Sequence, residues 1–541
     1  MSGILGTALS GLMAFQRSLD TTSHNIANVN TDGYSRQRVE LGTRPAQFIG
    51  VGYIGQGVNI ETVSRSYDQF ITSQLTSSTS AFAETNTLST LASGVDNITS
   101  NGATGLSSAL TSFFNAVNGV ANDPSSLSAR QVMTSEAGSL TQRFNMLSSR
   151  FEDSRQQTNN QIQTSVDDIN GYAAGIATLN KQIAAASNNL SGAANELMDQ
   201  RDVLLTKIAE KISVSTITQQ DGSINVFIGK GQSLVSGASA TTLSLAGSSA
   251  DPGHKEILMG GQEISKQITG GELSGALKFR DEVLDPAQQQ LGLVAAGIAI
   301  EFNKLHATGY DLNGAIGTDM FGLGAVPVVP ALGSTGSIAA VYDPANTGNL
   351  NPSDYRLDYN GETYSLTRLS DNTLITLPGT FPETPASVEG MTITQAVPPT
   401  GASSFLIRPT FDAAKTMTAL ITDPAKIAAA GTTGAAGDNT VALGLANLEN
   451  TSVLLGGKAT FNNAYGQLTA KVGSLTHAAQ ISNSAQEALF NQAKQARENL
   501  AGVNLDEEAA NLIKFQQSYQ AAAQVITVAR SLFDTLIGAV R

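Results

Sequence analysis

Apolar side chains recur every seven residues at both ends of the chain. Near the N-terminus Leu5, Leu12, Leu19 and Ile26 hold one heptad position, and Ala8, Phe15, Thr22 and Val29 hold the position three residues on. That spacing predicts a helix with a coiled-coil seam on one face. It should stop near Asn28 to Gly33, where Asn30, Thr31, Asp32 and Gly33 are turn formers. Near the C-terminus Leu505, Leu512, Tyr519, Ile526, Phe533 and Val540 keep the same interval. Ala509, Gln516, Ala523, Arg530 and Ile537 read as the partner position, with Phe515 and Leu536 beside the seam. Asn504 predicts an N-cap and Glu507, three residues later, a capping box. Asp506, Glu507 and Glu508 put negative charge at the positive end of the helix dipole. Neither helix can cover its own stripe. Each large apolar side chain gains about 1.5–3 kcal/mol only when something buries it. The two ends are therefore expected to pair and to complete their burial against neighbouring copies. This makes Leu5, Leu12, Phe15, Leu19, Ile26, Leu505, Leu512, Phe515, Tyr519, Ile526, Phe533, Leu536 and Val540 the candidate assembly interface.

The interior alternates between two periodicities. Residues from about 66 to 210 read as long helices. Tyr67, Phe70, Ile71 and Leu75 are spaced for one helix, and Ile162, Val166, Ile169, Tyr172, Ile176, Leu179 and Ile183 for another. From 212 to 268 the pattern is that of strands, and Asp221-Gly222 marks a hairpin between 214–218 and 224–228. A second β-rich stretch covers 325–412. There Tyr355, Leu357 and Tyr359 alternate up to Asn360-Gly361, read as a two-residue turn, and Tyr364 and Leu366 resume the alternation. Prolines 327, 330, 378, 382, 385, 398 and 399 punctuate this stretch as loops and borders do. Helices are expected to resume after about 411 and to persist to the end.

The expected fold class is multidomain α + β, with long α-helical coiled-coil termini and a helical-bundle domain around nested β-rich outer inserts. The expected division has four units. Residues 1–65 and 490–541 form paired terminal helices. Residues 66–211, 269–324 and 413–489 form the helical bundle. Residues 212–268 form a β-rich insert, and 325–412 an outer one.

Charge and composition narrow the function. A net charge of −14 over 541 residues argues against nucleic-acid binding, which uses basic patches. There is no cysteine, which removes disulfides, thiolate zinc sites and a Cys nucleophile. No apolar run approaches the roughly 18 residues of a membrane span, so no membrane insertion is expected. The stretch after Met1 lacks the basic and apolar regions of a cleavable signal peptide.

Catalytic motifs are equally scarce. Gly50-Val51-Gly52-Tyr53-Ile54-Gly55 fits G-x-G-x-x-G, but Gln56 to Ile60 follow it as turn and strand, without the helix a dinucleotide needs. His24, His254, His306 and His477 are far apart in sequence and form no metal motif. Asp311, Asn313 and Asp319 resemble a calcium loop, but the spacing fails at Gly314 and no Glu closes it. No catalytic residue, cofactor or metal is assigned.

Two terminal segments carry a family resemblance. Residues 23–36, which include Asn25, Ile26, Ala27, Asn28, Gly33, Tyr34 and Arg36, resemble the N-terminal signature of flagellar rod, hook and hook-associated proteins. Residues 503–508 and 515–525 resemble the C-terminal end of the same family. Within it, Asn195 to Leu205 and Gly270 to Asp281 resemble the hook-associated branch.

The resemblance implies a non-enzymatic, ring-forming adaptor in the hook–filament junction of the bacterial flagellum. The terminal helices would lie at the inner radius and the β inserts outside. It implies four partners: further copies of the chain, the hook protein, a second hook-associated junction protein, and an export chaperone on the C-terminal helix. It also implies an extracellular location reached without a cleaved signal. The alternatives are a sister axial protein, either the second junction protein or a filament subunit, and a secreted hydrolase on a flagellar scaffold.

Overall fold

The computed structural model describes residues 2–48, 50, 52–100, 105–187, 194–248, 251 and 253–540. Eleven α-helices are formed among them. They are α1 (Ser2–Ala27), α2 (Gln69–Thr99), α3 (Leu106–Asn122), α4 (Leu127–Ser187), α5 (Ala194–Lys211), α6 (Gly271–Lys278), α7 (Asp285–His306), α8 (Ala413–Thr416), α9 (Thr440–Asn447), α10 (Phe461–Ala501) and α11 (Leu505–Val540). A wider π-turn segment, Phe279–Leu284, joins α6 to α7.

Local chemistry sets several of the helix starts. Asp68 caps α2 by accepting from the amides of Phe70 and Ile71 at 2.7 and 3.1 Å. Thr460 caps α10 through Asn463. At α11 Asn504 Oδ1 accepts from the amides of Asp506 and Glu507. Glu507, read from the sequence as the second half of a capping box, turns instead to an arginine from the other end of the chain, described below.

The strands fall into small antiparallel sheets. Strands β1 (Gln37–Thr43) and β4 (Val58–Arg65) pair after α1, and β2 (Gln47–Phe48) with β3 (Tyr53–Ile54) makes a hairpin between them. The first insert holds β5 (Val214–Thr218), β6 (Ile224–Ile228), β7 (Gln232–Ser236) and β8 (Ser239–Ala240) in order, then β9 (Leu243–Gly247), β10 (Lys255–Met259) and β11 (Gln262–Glu263) as a second sheet.

At the base of the outer insert β12 (Phe321–Gly322) pairs with β21 (Thr418–Ala419). Two facing sheets follow. One is ordered β13 (Val328–Pro330), β20 (Ser403–Ile407), β15 (Tyr355–Tyr359), β16 (Tyr364–Arg368), β17 (Thr373–Ile375). The other is β14 (Ser337–Tyr342), β19 (Met391–Val397), β18 (Ala386–Val388). They enclose Ile338, Tyr355, Leu357, Leu366, Ile393 and Phe405.

The largest core is helical. Phe113, Phe114, Phe144, Phe302 and Phe461 pack at the meeting of α3, α4, α7 and α10. A second core is shared between helices and the first insert: Ile162, Ile169 and Ile176 of α4 and Ile208 of α5 pack with Val226, Leu234 and Ile257. Side chains staple the returning chain to this body. Asn145 on α4 donates to the carbonyls of Ala414 and Met417. His306 Nε2 accepts from the Ala428 amide at 2.7 Å, and Nδ1 faces the Thr318 carbonyl at 2.7 Å. Burial holds this histidine's pKa below its ordinary value, which suits the neutral ring that these bonds require.

Two local expectations change. The turn at Asn360-Gly361 is a four-residue loop, because Tyr359 pairs with Tyr364. Asn360 Oδ1 collects the amides of Glu362 and Thr363, and this Asx cap makes the longer loop self-sufficient. After residue 411 the helices do not run on. After the single turn of α8, the stretch from 417 to 460 is mostly irregular apart from β21, a 3₁₀ turn at Pro424–Lys426 and α9. Pro424 and glycines 431, 434, 437, 456 and 457 supply the breaks.

Candidate assembly interface

The two chain ends pack along each other as α1 against α11. On α1, Ala8, Ala14 and Ser18 are buried, while Leu5, Leu12, Phe15, Leu19 and Ile26 are half-buried. On α11, Glu508 and Ala529 are buried, and Leu512, Phe515, Tyr519 and Ile526 are half-buried. Leu505 and Phe533 stay about half exposed, at 50% and 48%. Leu536 and Val540 lie on α11, but their side chains are outside the described ones.

This burial corrects the register of the C-terminal seam. The partner position is Glu508, Phe515, Ala522 and Ala529, three residues after each main position; Ala509, Gln516 and Arg530 face solvent. Both registers share the seven-residue repeat. The observed one keeps an arginine and a glutamine out of the seam and brings Phe515 in. It also turns Glu508 toward the start of the body.

A polar node fastens the root of this pair. Asn25, near the end of α1, uses every hydrogen-bonding function it has. Its Oδ1 accepts from the Tyr34 hydroxyl at 2.7 Å and the Gln37 amide at 3.0 Å. Its Nδ2 donates to the Gln37 carbonyl at 3.0 Å and to Glu508 Oε2 at 3.1 Å. Arg36 holds Glu508 through Nε at 2.7 Å and Glu507 through its terminal nitrogens at 2.9 Å. Burial would weaken the charge of Arg36, but Glu507 and Glu508 more than offset this and its pKa rises. Burial, with Asp199 nearby, pushes the Tyr34 hydroxyl far up and keeps it a donor.

The node also reaches α5. The Ser35 amide donates to Asp199 Oδ2, and Arg65 pairs with Asp199 and Asp202 at 2.8 and 2.6 Å. Asn195 donates to the Val63 carbonyl at 2.7 Å. Gly33 lies between α1 and α5 with φ +78°. A Cβ there would sit 2.0 Å from Val203 Cγ2, so only glycine fits. Its carbonyl accepts from Arg497 on α10 at 2.8 Å. Asn28 closes the turn by donating to the His24 carbonyl. Ile26 is half-buried and Ala27 exposed, so five of the seven motif residues make the polar joint.

Comparison with known proteins decides the family. The chain is 34% identical to flagellar hook-associated protein 1 of Escherichia coli, over 99% of this chain and all of the relative. The chain belongs to the flagellar hook-associated protein 1 family. It is 28% identical to the Bacillus subtilis flagellar hook-associated protein 1, over 98% of this chain and 97% of that one. Family models match in four places. The FlgK helical domain matches residues 92–321, and the D2-like domain of flagellar hook-associated protein 1 matches residues 333–409. The flagella basal body rod protein matches 5–34, and the C-terminal part of the rod FlgEFG proteins matches 494–539. The fold is similar to that of the flagellar hook junction protein FlgK of Burkholderia pseudomallei, with TM-score 0.73, 24% identity, and coverage of 79% of this chain and all of that one.

In this member of the family the motif residues serve the joint, and the apolar surface lies elsewhere. Along α11 Ile513, Val525, Val528, Leu532, Phe533 and Ile537 are each about half exposed; on α1 Ile4, Leu9 and Met13 are too. Sequence reasoning missed the Arg36–Glu507–Glu508 bridge and the Arg65–Asp199–Asp202 pairs. Glu507 and Glu508 were visible as a helix start, but partners 471 and 472 residues away in one case, and 134 and 137 in the other, leave no local pattern.

The remaining candidates take structural places. Of the Gly50–Gly55 segment, Tyr53 and Ile54 form β3, where Tyr53 faces Phe48 of β2, and Val51 lies outside the described residues. His254 converges with Asp281 and Asp285, which are one helical turn apart, so that one ligand atom of each lies within 4.8 Å of the others. Asp285 is already engaged by Arg155 at 2.7 Å and His254 at 3.0 Å, and Asp281 by Arg280 at 2.9 Å. Two guanidinium groups at the cluster disfavour a divalent cation there. Among the described residues no helix is long and apolar enough to cross a membrane.

Proposed function

We propose that this flagellar structural protein of the hook–filament junction is a ring-forming adaptor that polymerises through its terminal helices. One observation carries the reading. The described apolar side chains fully buried in α1 and α11 are Ala8, Ala14 and Ala529, all small, while the large ones stay half covered or exposed. A pair so thinly covered gains little from burial in one copy and much from neighbours.

The adaptor has a division of labour. Residues 1–65 and 490–541 act as the axial unit at the inner radius. Residues 66–211, 269–324 and 413–489 act as the bundle that makes lateral contacts, and 212–268 and 325–412 as inserts facing outward. Its partners are further copies of itself, the hook protein below and the second hook-associated junction protein above. During export a chaperone covers Leu512 to Val540, the part of α11 that carries the exposed stripe. The role is mechanical and needs no catalysis.

Deletion of residues 505–541 tests this. The deleted chain should remain a folded monomer by circular dichroism and cooperative melting, yet fail to restore filaments in cells lacking the intact protein. Filaments of normal length from the deleted chain would reject the reading.

A further inference from the structure

The small hairpin of β2 and β3 has two unlike faces. Side chains alternate along a strand, so the paired Gln47 and Ile54 share one face and the paired Phe48 and Tyr53 the other. Gln47 and Ile54 line a groove of about 1070 Å³ that runs between α1 and α11, past Gly11 and Phe15 on one side and Ala522 and Val525 on the other. None of its described lining residues is charged. Phe48 and Tyr53 lie with ring centroids 5.3 Å apart and are 59% and 77% exposed. The hairpin is braced against α1. The Val58 amide donates to Ser10 Oγ at 3.2 Å and the Arg44 amide to the Gly57 carbonyl at 3.1 Å, while a Cβ on Gly57 would lie 2.2 Å from Ser10 Oγ.

The glycines of the groove serve little inside one copy. Among the described residues, a Cβ on Gly3 or Gly55 would meet nothing within 4 Å, and one on Gly11 only the Phe15 ring, at 3.7 Å. Glycine inside a helix is less stable than alanine. Gly11 therefore weakens α1 with no close contact in the free chain that requires it, and what it leaves is open floor in the groove.

We propose that the Phe48–Tyr53 face of one copy seats in the α1–α11 groove of the next. This seating rests on the polymerising role given above and names the segment that fills the groove. A copy cannot fill its own groove with these rings, because the strands turn them to the opposite face of the hairpin. Rings and groove are both uncharged in a chain of net charge −14, so the contact buries no unpaired charge. Val525 belongs both to the groove and to the exposed stripe of α11, so the contact continues the surface assigned to assembly. A knob and a groove on different faces of one molecule make a heterologous contact, which repeats from copy to copy and closes a ring or winds a helix.

The chain has no cysteine, so Thr7→Cys in the groove and Ala46→Cys beside Phe48 give one defined thiol pair at exposed positions. In flagella rebuilt with this doubly substituted full chain, a short bis-maleimide should join copies into a ladder of whole multiples of the chain, and neither single variant should do so. Tyr53→Asp should leave the melting of the free chain unchanged and lower incorporation by at least roughly tenfold. Gly11→Leu, which fills the groove, should melt no earlier than the unaltered chain and lose incorporation as well. Normal incorporation of Tyr53→Asp or of Gly11→Leu would overturn the seating. Loss of incorporation by Tyr53→Asp without a ladder from the thiol pair would give the hairpin another partner and overturn it too. Each of these failures leaves polymerisation through the terminal helices standing, which the deletion of residues 505–541 tests by itself.

Discussion

Replacing Asn25 by aspartate changes the side chain by one heavy atom, yet it removes both donors from a buried site. The new carboxylate would face Glu508 Oε2, now 3.1 Å from the amide nitrogen, and would lose the bond to the Gln37 carbonyl. Like charges in a buried site raise each other's pKa or separate. The expected cost is about 3 kcal/mol at neutral pH, in line with breaking a buried charged network. It should fall on the root of the terminal pair, so hydrogen exchange should quicken in α1, β1 and the start of α11 and stay unchanged in α3 and α7. Because protonation of the new acid restores a donor, the loss should shrink below pH 5. Equal destabilisation at pH 4 and pH 7 would show that the site merely tolerates poor packing. Residues such as Asn25 and Gly33 stand out in sequence only through family resemblance. Their physical reasons, a four-bond network that reaches Glu508 and a Val203 side chain that would lie 2.0 Å from any Cβ at position 33, depend on segments far away in the chain.

At the scale of elements, α11 separates surface that serves the monomer from surface that serves the assembly. Ala529 is buried, with 6% of its surface exposed, and Leu532, three residues on, is 53% exposed. Ala529→Glu should therefore weaken the pairing with α1 and raise protease cleavage near the C-terminus of the free chain. Leu532→Glu should leave monomer melting within about 0.5 kcal/mol, as exposed substitutions do, but abolish incorporation into flagella. Normal incorporation of Leu532→Glu would remove the exposed stripe from the interface.

The same helix illustrates what was legible in the chain. Its repeat, its start at Asn504 and its length could be read from spacing and caps. The choice of Glu508, Phe515, Ala522 and Ala529 as the inner partners could not, because it depends on Arg36 and α1. The long helices of the body and the hairpin at Asp221-Gly222 were readable from period alone. The stretch from 417 to 460 was not. Its alanines and leucines read as helix, and its fold is dictated by side-chain staples such as Asn145 and His306 from other elements.

For the whole molecule the contrast lies between a well-filled body and a thinly covered axis. Among the described residues the body buries eight phenylalanines in its largest core and builds a second core against the first insert. The axis, 26 residues in α1 and 36 in α11, fully buries little beyond alanine among its described apolar side chains. Isolated helices are costly to nucleate, and a pair gains stability mainly from its buried face. The free subunit should therefore hold its terminal helices only loosely, while the Arg36 node keeps their roots aligned. Amide exchange along α4 should be slow in free and assembled protein alike. Exchange along α1 and the second half of α11 should be fast in the free chain and slow by at least about tenfold on incorporation, since each 1.4 kcal/mol of added burial is worth that factor. A free subunit whose terminal amides are already as protected as those of α4 would mean that the axis is complete in one copy, and neighbours would then have nothing left to cover.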